Sequence, residues 1–376
     1  MDLPFEPILI LRGLLTKKTE IEEEIFYHPE RMEIDVQNTF EIETEVQSSE
    51  SGLLVIDLAY GEHTNTEITE RIKHSLDHYK RIKGEEPNKI IIKDIASVTI
   101  KKIILNRSQL LQNKVALVTG SAGAIGYGIC KRLLEEGCLV MMSDIMPDKL
   151  NQVVSELDND FPGKVRGVQM DVTEKESVRN AFDQITRLWG GTDIVVINAG
   201  IALVASLINL DLKDFQRLEK VNVEGTLLTL SEAARNLIAQ NIGGDIVLIS
   251  TKNVFAPGAN FGAYSATKTA SHQLARIASL EFAEYNIRVN MVSPDGVFSA
   301  GHHKSGLWQE IGPGRMKARG LDEKGLEDYY KNRNLLKTKI TARHVANAVL
   351  FFVTRQTPST GATIPVDGGL PDATPR

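Results

Sequence analysis

The sequence predicts an α/β protein whose main domain is doubly wound on a seven-stranded parallel sheet, preceded by a small α+β domain. Three observations carry this. From Leu111 onward, short apolar runs alternate with longer amphipathic stretches, the pattern of β-α units that build a parallel sheet. A glycine-rich turn, Thr119 to Gly126, falls between the first of these runs and the stretch that follows. Before residue 111 the alternation is missing and the composition is acidic, with 21 acidic against 14 basic side chains, while the remainder carries 28 against 29. The chain therefore divides into residues 1–110 and 111–376, within the size range of a small and a large domain.

In chain order, Pro7–Leu15, Met32–Val46 and Leu53–Tyr60 read as strands. Helical spacing runs through Glu67–Lys83 (Ile68, Ile72, Leu76, Tyr79), and Asn88–Leu105 reads as one or two further strands. Lys114–Thr119 is the first buried strand of the larger domain, and Ala124–Glu136 the helix after it. Strands at Leu139–Ser143, Val165–Met170, Ile194–Ile197 and Asp245–Ser250 alternate with helices at Pro147–Leu157, Lys175–Leu188, Leu212–Gln240 and Ala263–Glu284. Ile287–Val292 and Thr363–Val366 complete the sheet.

Composition narrows the function. A net charge of -6 gives no basic face for nucleic acid. No run approaches the roughly 18 apolar residues of a membrane span. Met1-Asp2-Leu3-Pro4 starts acidic and Arg12 interrupts the next apolar stretch, so no secretory pattern is expected and the protein reads as cytoplasmic. Cys130 and Cys138 read as two buried thiols of a reducing compartment. His74 and His78 stand at helical i, i+4 spacing, but no third ligand completes a site, so no metal is expected.

The chemistry concentrates in Tyr264-Ser265-Ala266-Thr267-Lys268. Positions i and i+4 share one helix face, so the phenol and the ammonium can enter one pocket. A tyrosine with pKa of about 10 is a poor base at neutral pH, and a fixed cation favours its phenolate. A hydroxyl residue, Thr251, precedes the tyrosine by thirteen positions; Ser250, one residue earlier, points to the opposite side of an extended strand. In the glycine turn, Gly120, Ser121, Gly123, Ala124, Ile125 and Gly126 let backbone approach a pyrophosphate at a helix amino terminus. Asp144, at the end of the second strand, suits the two hydroxyls of an adenosine ribose and repels a 2′-phosphate, which favours NAD over NADP; it can equally cap the next turn. Asp171 and Val172 end the third strand, where the carboxylate either accepts from an adenine amino group or caps a helix. Asn198-Ala199-Gly200 leave room for the cofactor after the fourth.

Together these motifs resemble the short-chain dehydrogenase/reductase superfamily over residues 111–376, which implies a Rossmann-type fold. The family pattern reads here as Thr119 to Gly126, Asn198 to Gly200, Asn222, Thr251 in place of the usual serine, and Tyr264 with Lys268. Ser250-Thr251-Lys252-Asn253, Ser293-Pro294-Asp295-Gly296, Gly325 to Tyr330 and Val366-Asp367-Gly368-Gly369 resemble two narrower groups. These are the dehydrogenase half of bifunctional rhamnulose-phosphate aldolase/alcohol dehydrogenases and, less closely, the sorbitol-6-phosphate 2-dehydrogenases. Residues 1–110 match no aldolase half; oligomerisation, recruitment of a partner enzyme and a remnant of a fused one stay open for them.

The resemblance implies NAD-dependent hydride transfer between a secondary alcohol and its ketone, the substrate being a polyol, sugar or sugar phosphate. It makes Tyr264 the base, Lys268 the group that lowers the tyrosine pKa and holds the nicotinamide ribose, Thr251 the partner of the substrate oxygen and Asn222 the anchor of a proton-relay water. Pro294 and Val297 are expected at the nicotinamide, and Lys252 and Asn253 at the substrate. Phe298–Leu336 reads as a mobile polar lid whose His302, His303, Lys304, Arg315, Lys317 and Arg319 either bind a phosphate or are simply solvated. A homodimer or homotetramer built on the helices at 212–240 and 263–284 is implied. The competing reading is a catalytically weak NAD-binding regulatory or scaffold protein.

Overall fold

The computed structural model of the protein describes residues 5–21, 24–28, 31–35, 52–58, 64–101 and 110–370. The first unit comprises α1 (Glu6–Leu15), β1 (Lys17–Ile21), β2 (Glu24–His28), β3 (Arg31–Asp35), β4 (Leu53–Ile56), α2 (Asn65–Lys83), β5 (Lys89–Ile92) and β6 (Ala96–Lys101). Strands β3-β6-β5-β4 form a four-stranded sheet, antiparallel except for the β4–β5 pair, and β1 and β2 form a separate hairpin. Ile8, Leu11, Met32, Ile56, Ile72, Ile90, Ile92 and Val98 make its core. Thr64 and Glu67 cap α2 reciprocally, and Gly84 ends it in the left-handed region. His74 and His78 stack 6.2 Å apart on the exposed face of α2. The expected strand residues 36–46, 59–60 and 102–105 lie outside the described residues.

One expected strand is a helix. Pro7–Leu15 belongs to α1, with a proline in the first turn, Glu6 at its positive end and Arg12 in the last turn. The run is apolar on nearly every side because α1 is enclosed on nearly every side, so no 3.6-residue period survives in the sequence to reveal it. It wedges between α2 and a long helix of the second unit, and Gly13 makes the contact: a Cβ there would lie 1.9 Å from the Gln240 carbonyl oxygen.

The second unit holds β7 (Val115–Thr119), α3 (Ala124–Glu135), β8 (Leu139–Asp144), α4 (Pro147–Asp160), β9 (Val165–Gln169), α5 (Lys175–Trp189) and β10 (Ile194–Ile197). It continues with α6 (Leu212–Leu218), α7 (Gly225–Gln240), β11 (Gly244–Ile249), α8 (Gly262–Glu281) and β12 (Ile287–Pro294). The last elements are β13 (Ser299–Ala300), β14 (His303–Lys304), α9 (Gly306–Arg319), α10 (Glu323–Asn332), α11 (Ala342–Val353) and β15 (Thr363–Val366). The sheet is seven-stranded and all parallel, in the order β15-β12-β11-β10-β7-β8-β9. Its two faces carry separate cores, one under α3 and α11, the other under α5, α7 and α8. The chain winds outward from β7 to β9 and then reverses through β10, so the carboxyl ends of β7 and β10 frame the crevice where such sheets bind ligands.

Three further differences from the sequence reading are local. The expected helix 212–240 is interrupted by a π-helical turn, Glu219–Glu224, that carries Asn222, a distortion common at functional sites. Helix α11, capped by Thr341, was not expected. Residues 298–336 are a built lid rather than an open loop: the β13–β14 hairpin is followed by α9 and α10, each capped by a side chain, Ser305 and Asp322. Cys130 and Cys138 are both free and buried, and burial pushes both thiols up.

Candidate active site

The glycine turn connects β7 to α3 at the crevice. Gly120 sits at φ +61°, and a Cβ on it would meet Ala199 Cα at 2.8 Å; a Cβ on Gly126 would meet the Gly120 carbonyl at 2.6 Å. Each glycine is thus required by backbone passing backbone. Thr119 Oγ1 accepts from the amides of Asn198 (3.0 Å) and Ala199 (2.9 Å), while Asn198 Nδ2 donates to the carbonyls of Thr119 and Gly120. The first and fourth strands are stitched together here, with Ser121 fixed by its bond to the Ser143 carbonyl. No side chain caps α3 at Gly123, so the first amides of a helix that starts at Ala124 face the crevice uncovered, a cradle suited to a pyrophosphate.

At the end of β8, Asp144 is buried; one carboxylate oxygen accepts from Ala122 N (3.0 Å) and the other from Met146 N (3.1 Å). It both braces the glycine turn and starts the next one. Asp171 Oδ1 accepts from the amide and hydroxyl of Thr173, so it closes its own turn after β9. Val172 packs against Gly225, where a Cβ would lie 2.7 Å from its methyl.

Tyr264 and Lys268 stand one turn apart on α8 and line a single cavity of about 600 Å³ with Thr251, Lys252 and Asn253 just after β11, Asn198 and Gly200 just after β10, Ile125 from α3, and Pro294 and Val297 at and beyond the end of β12. The Thr251 hydroxyl, which accepts from Asn253 N at 3.3 Å, stands on the same cavity wall and favours the Tyr264 phenolate. Ser250 takes the other side of the strand, 3.0 Å from His272 Nδ1, and burial pushes that histidine down to about 4, so its ring is neutral. Burial raises Tyr264 to about 12, against the opposing pull of the Thr251 hydroxyl. Lys268 donates to the Ile249 carbonyl at 2.7 Å, and burial lowers it to about 8. In this arrangement desolvation governs both groups, and the expected depression of the tyrosine by the lysine does not appear: the ammonium is turned to a carbonyl and is itself weakened by burial.

Asn222 is fully engaged on the π-helical turn. Its Oδ1 accepts from Ile201 N, its Nδ2 donates to Ile201 O and Thr267 Oγ1, and its carbonyl accepts the hydroxyls of Thr226 and Ser271. Both amide hydrogens are committed, so a water here reaches only oxygen lone pairs. A Cβ on Gly200 would come within 3.1 Å of Asn222 Oδ1 and 3.8 Å of Lys268 Nζ, which shows how closely the loop after β10, the π-helical turn and α8 converge.

The lid closes the outer wall with residues the sequence reading partly missed. Arg315 and Arg319 line the cavity, as expected for the lid, but so do Trp308, Tyr330 and Arg333. Arg333 pairs with Asp295 through both carboxylate oxygens and lies 4.0 Å over the Tyr330 ring. Tyr330 and Arg333 stand at i, i+3, a spacing that puts both on one helix face, but nothing local points to Trp308 or to the partner Asp295. Conversely, His302 and His303 reach Glu156 at 3.2 and 3.0 Å, and Lys304 pairs with Glu323, so these three do not line the cavity.

A doubly wound sheet with a glycine cradle at its switch point and a tyrosine–lysine pair beside it defines a nucleotide-dependent oxidoreductase. The short chain dehydrogenase family model matches residues 114–310. The chain belongs to this family, whose members act on CH–OH groups with a nicotinamide dinucleotide. An uncharacterized oxidoreductase of Bacillus subtilis, YuxG, is 36% identical over 265 residues; the match covers 70% of this chain but 38% of that longer protein. Sorbitol-6-phosphate 2-dehydrogenase of Escherichia coli is 30% identical over 259 residues, covering 68% of this chain and 98% of the enzyme. Among solved structures, the sorbitol-6-phosphate 2-dehydrogenase of Erwinia amylovora superposes with a TM-score of 0.63 at 26% identity over 68% of this chain and 98% of that one. The narrower resemblance to bifunctional aldolase/dehydrogenases is not reached by these comparisons. No helix among the described residues is long and apolar enough to cross a membrane.

Proposed function

We propose that the protein is an NAD-dependent dehydrogenase that interconverts a secondary alcohol and its ketone on a polyol, sugar or sugar phosphate, through a catalytic domain at 111–376 that follows a separate domain at 1–110. The observation that carries the proposal is the convergence of Thr251, Tyr264 and Lys268 on one cavity. Asp144 favours NAD, because a buried carboxylate where the ribose hydroxyls would lie opposes a 2′-phosphate. The exposed apolar Ile145 and Met146 beside it offer a surface to an adenine.

Gly200, Pro294 and Val297 would hold the nicotinamide end of the dinucleotide, which when bound would supply the hydride acceptor. Burial favours the neutral phenol of Tyr264, the form that donates the proton in reduction, and in oxidation its phenolate takes the alcohol proton. Thr251 holds the same substrate oxygen and so keeps it within reach of the phenol. Lys268 supplies positive charge beside the phenol as the proton moves, and Asn222 positions the loop at Ile201 and α8 through Thr267. Leu227 and Ile238 on α7 and Ile277 and Leu280 on α8 are exposed apolar side chains, which supports homo-oligomerisation through these helices. The test is NAD reduction over a panel of free and phosphorylated polyols. Tyr264→Phe should bind NAD but lose turnover by at least about a hundredfold; unchanged turnover would refute the assignment.

A further inference from the structure

The cavity around Tyr264 carries an unusual charge balance. Five cationic side chains line it, Lys252, Lys268, Arg315, Arg319 and Arg333, against one carboxylate, Asp295, already taken by Arg333. Lys268 belongs to the reacting centre. The other four stand on its outer wall, on α9, at the carboxyl end of α10 and in the turn after β11.

Arg315 is the most telling of them. Its side chain is 7% exposed, its guanidinium carbon lies 4.7 Å over the Phe261 ring, and one terminal nitrogen donates to the Tyr330 hydroxyl at 3.2 Å. Its Nε is buried without any hydrogen-bond partner, so the protein itself leaves the guanidinium only partly satisfied, while the residue lines the cavity. A buried cation with so few partners is costly unless an anion offsets its charge. No carboxylate in the cavity is free to do so. Lys252 donates to the Ala256 carbonyl at 2.9 Å, and burial, with the nearby Arg333 and Arg315, lowers its pKa, so the cations crowd one another as well. Arg319 stacks 4.6 Å over the Tyr329 ring and touches its hydroxyl at 3.4 Å. Both arginines are held by aromatic rings, which fix the plane of the fork and leave its edge for an oxyanion.

We infer that the outer wall of the cavity is an oxyanion subsite in which Arg315, supported by Lys252 and Arg319, binds the phosphate or carboxylate terminus of the substrate. The inference rests on the dehydrogenase reading for the position of the reacting carbinol, and it narrows the substrate to a hydroxylated chain with an anionic end. Neutral polyols lack the charge that would offset these cations. The site also gives the lid a reason to close, since three of its four cations lie on α9 and at the end of α10.

The direct test is binding of inorganic phosphate to the full-length protein by titration calorimetry, then inhibition by phosphate of NAD reduction with a hexitol 6-phosphate, the corresponding aldonate and the free hexitol. Saturable binding, and inhibition competitive with the substrate, are expected. In Arg315→Met, checked for folding by circular dichroism and for NAD binding by fluorescence, phosphate affinity and the kcat/KM preference for an anionic over a free hexitol should each fall at least about tenfold. Arg315→Lys should recover part of this, and Lys252→Gln should show a smaller loss if Arg315→Met does not fold. Preference for the phosphate or for the aldonate says which anion fits. Absence of phosphate binding, or an equal effect of these substitutions on anionic and free hexitols, would overturn the subsite and leave the dehydrogenase reading standing. Phosphate binding that is lost in the variants, with no turnover of any alcohol, would keep the subsite and sink the polyol reading.

Discussion

Arg12 on α1 and Asp193 at the foot of β10, 181 positions apart, are joined by a 2.7 Å ion pair in which both side chains are buried. Asp193 also accepts from Val115 N at 2.8 Å and faces Lys114 at 3.6 Å, while Arg12 reaches Gln240, whose amide is bonded to both main-chain groups of Thr192. The first unit is therefore fastened to the base of the parallel sheet, at the end opposite the glycine turn. Removing one partner of a buried pair leaves an uncompensated charge, which costs about 3–5 kcal/mol. Arg12→Met should lower the unfolding free energy from urea titration by an amount of that order, and Arg12→Met/Asp193→Asn should recover much of it. A loss that is simply additive in the double variant would show that the two side chains do not act as a pair.

The same pair predicts an acid limb. Burial alone would raise the Asp193 carboxyl, but Arg12 and Lys114 overcome it and hold it at about 2, below the ordinary 3.8. A carboxylate depressed in the folded state adds stability that is complete above its unfolded pKa and is lost as pH falls from about 4 through about 2. With a shift near two units this amounts to about 2 kcal/mol. Urea unfolding between pH 5 and 2.5 should show that slope in the wild type and a shallower one in Asp193→Asn; parallel slopes would contradict it.

What was readable in the sequence follows from how each feature is encoded. The strands of the parallel sheet were visible because strands such as Val115–Thr119 and Ile194–Ile197 are buried on both faces and leave uninterrupted apolar runs. Tyr264, Lys268 and Thr251 were visible because one helix and one strand end fix their spacing. Helix α1 was misread for the same reason that the strands were read correctly: full enclosure makes a helix and a strand look alike. Arg333 and Asp295 were missed because their pairing joins positions 38 apart, and nothing local in the sequence signals it. The π-helical turn at Asn222 depends on Ser271 and Thr267 of α8, contacts that no helical period predicts.

The glycine turn supplies a steric prediction. A Cβ on Gly126 would lie 2.6 Å from both the Gly120 carbonyl oxygen and Ser121 Cα, neither of which is a flexible side-chain end. Gly126→Ala must push α3 away from the turn and with it the amides that face the crevice. NAD affinity, measured by fluorescence titration, should fall at least about tenfold. Gly163→Ala, at a positive φ of 73° in a turn with open space around it, serves as the control for strain alone. Equal NAD affinities in the two variants would contradict the cradle.

Cofactor choice can be read at Asp144. Its carboxylate is held by Ala122 N and Met146 N, so Asp144→Ser removes the charge but keeps a short acceptor for one of these amides. The ratio of kcat/KM for NAD over NADP should drop at least about tenfold, chiefly by a loss with NAD and a gain with NADP. A ratio that does not move would mean that the carboxylate serves the turn and not the ribose.

Lys268 sets activity against stability. Burial lowers it to about 8 from the ordinary 10.5, so below pH 8 the folded protein carries a charged group that would be better solvated in the unfolded chain. Between about 8 and 10.5 the unfolded state binds the extra proton, stability rises with pH, and above that window the difference is gone. Lys268→Met removes this group, so its stability relative to wild type should be more favourable at pH 7 than at pH 10.5, by about 3 kcal/mol. The lost bond to the Ile249 carbonyl subtracts a roughly constant 1 kcal/mol at both pH values, which is why the change between them is the diagnostic quantity. Turnover of the same variant should fall at least about a hundredfold. Urea midpoints at the two pH values and NAD reduction rates decide it: a relative stability that is flat with pH would show that Lys268 is not held in its charged form against burial.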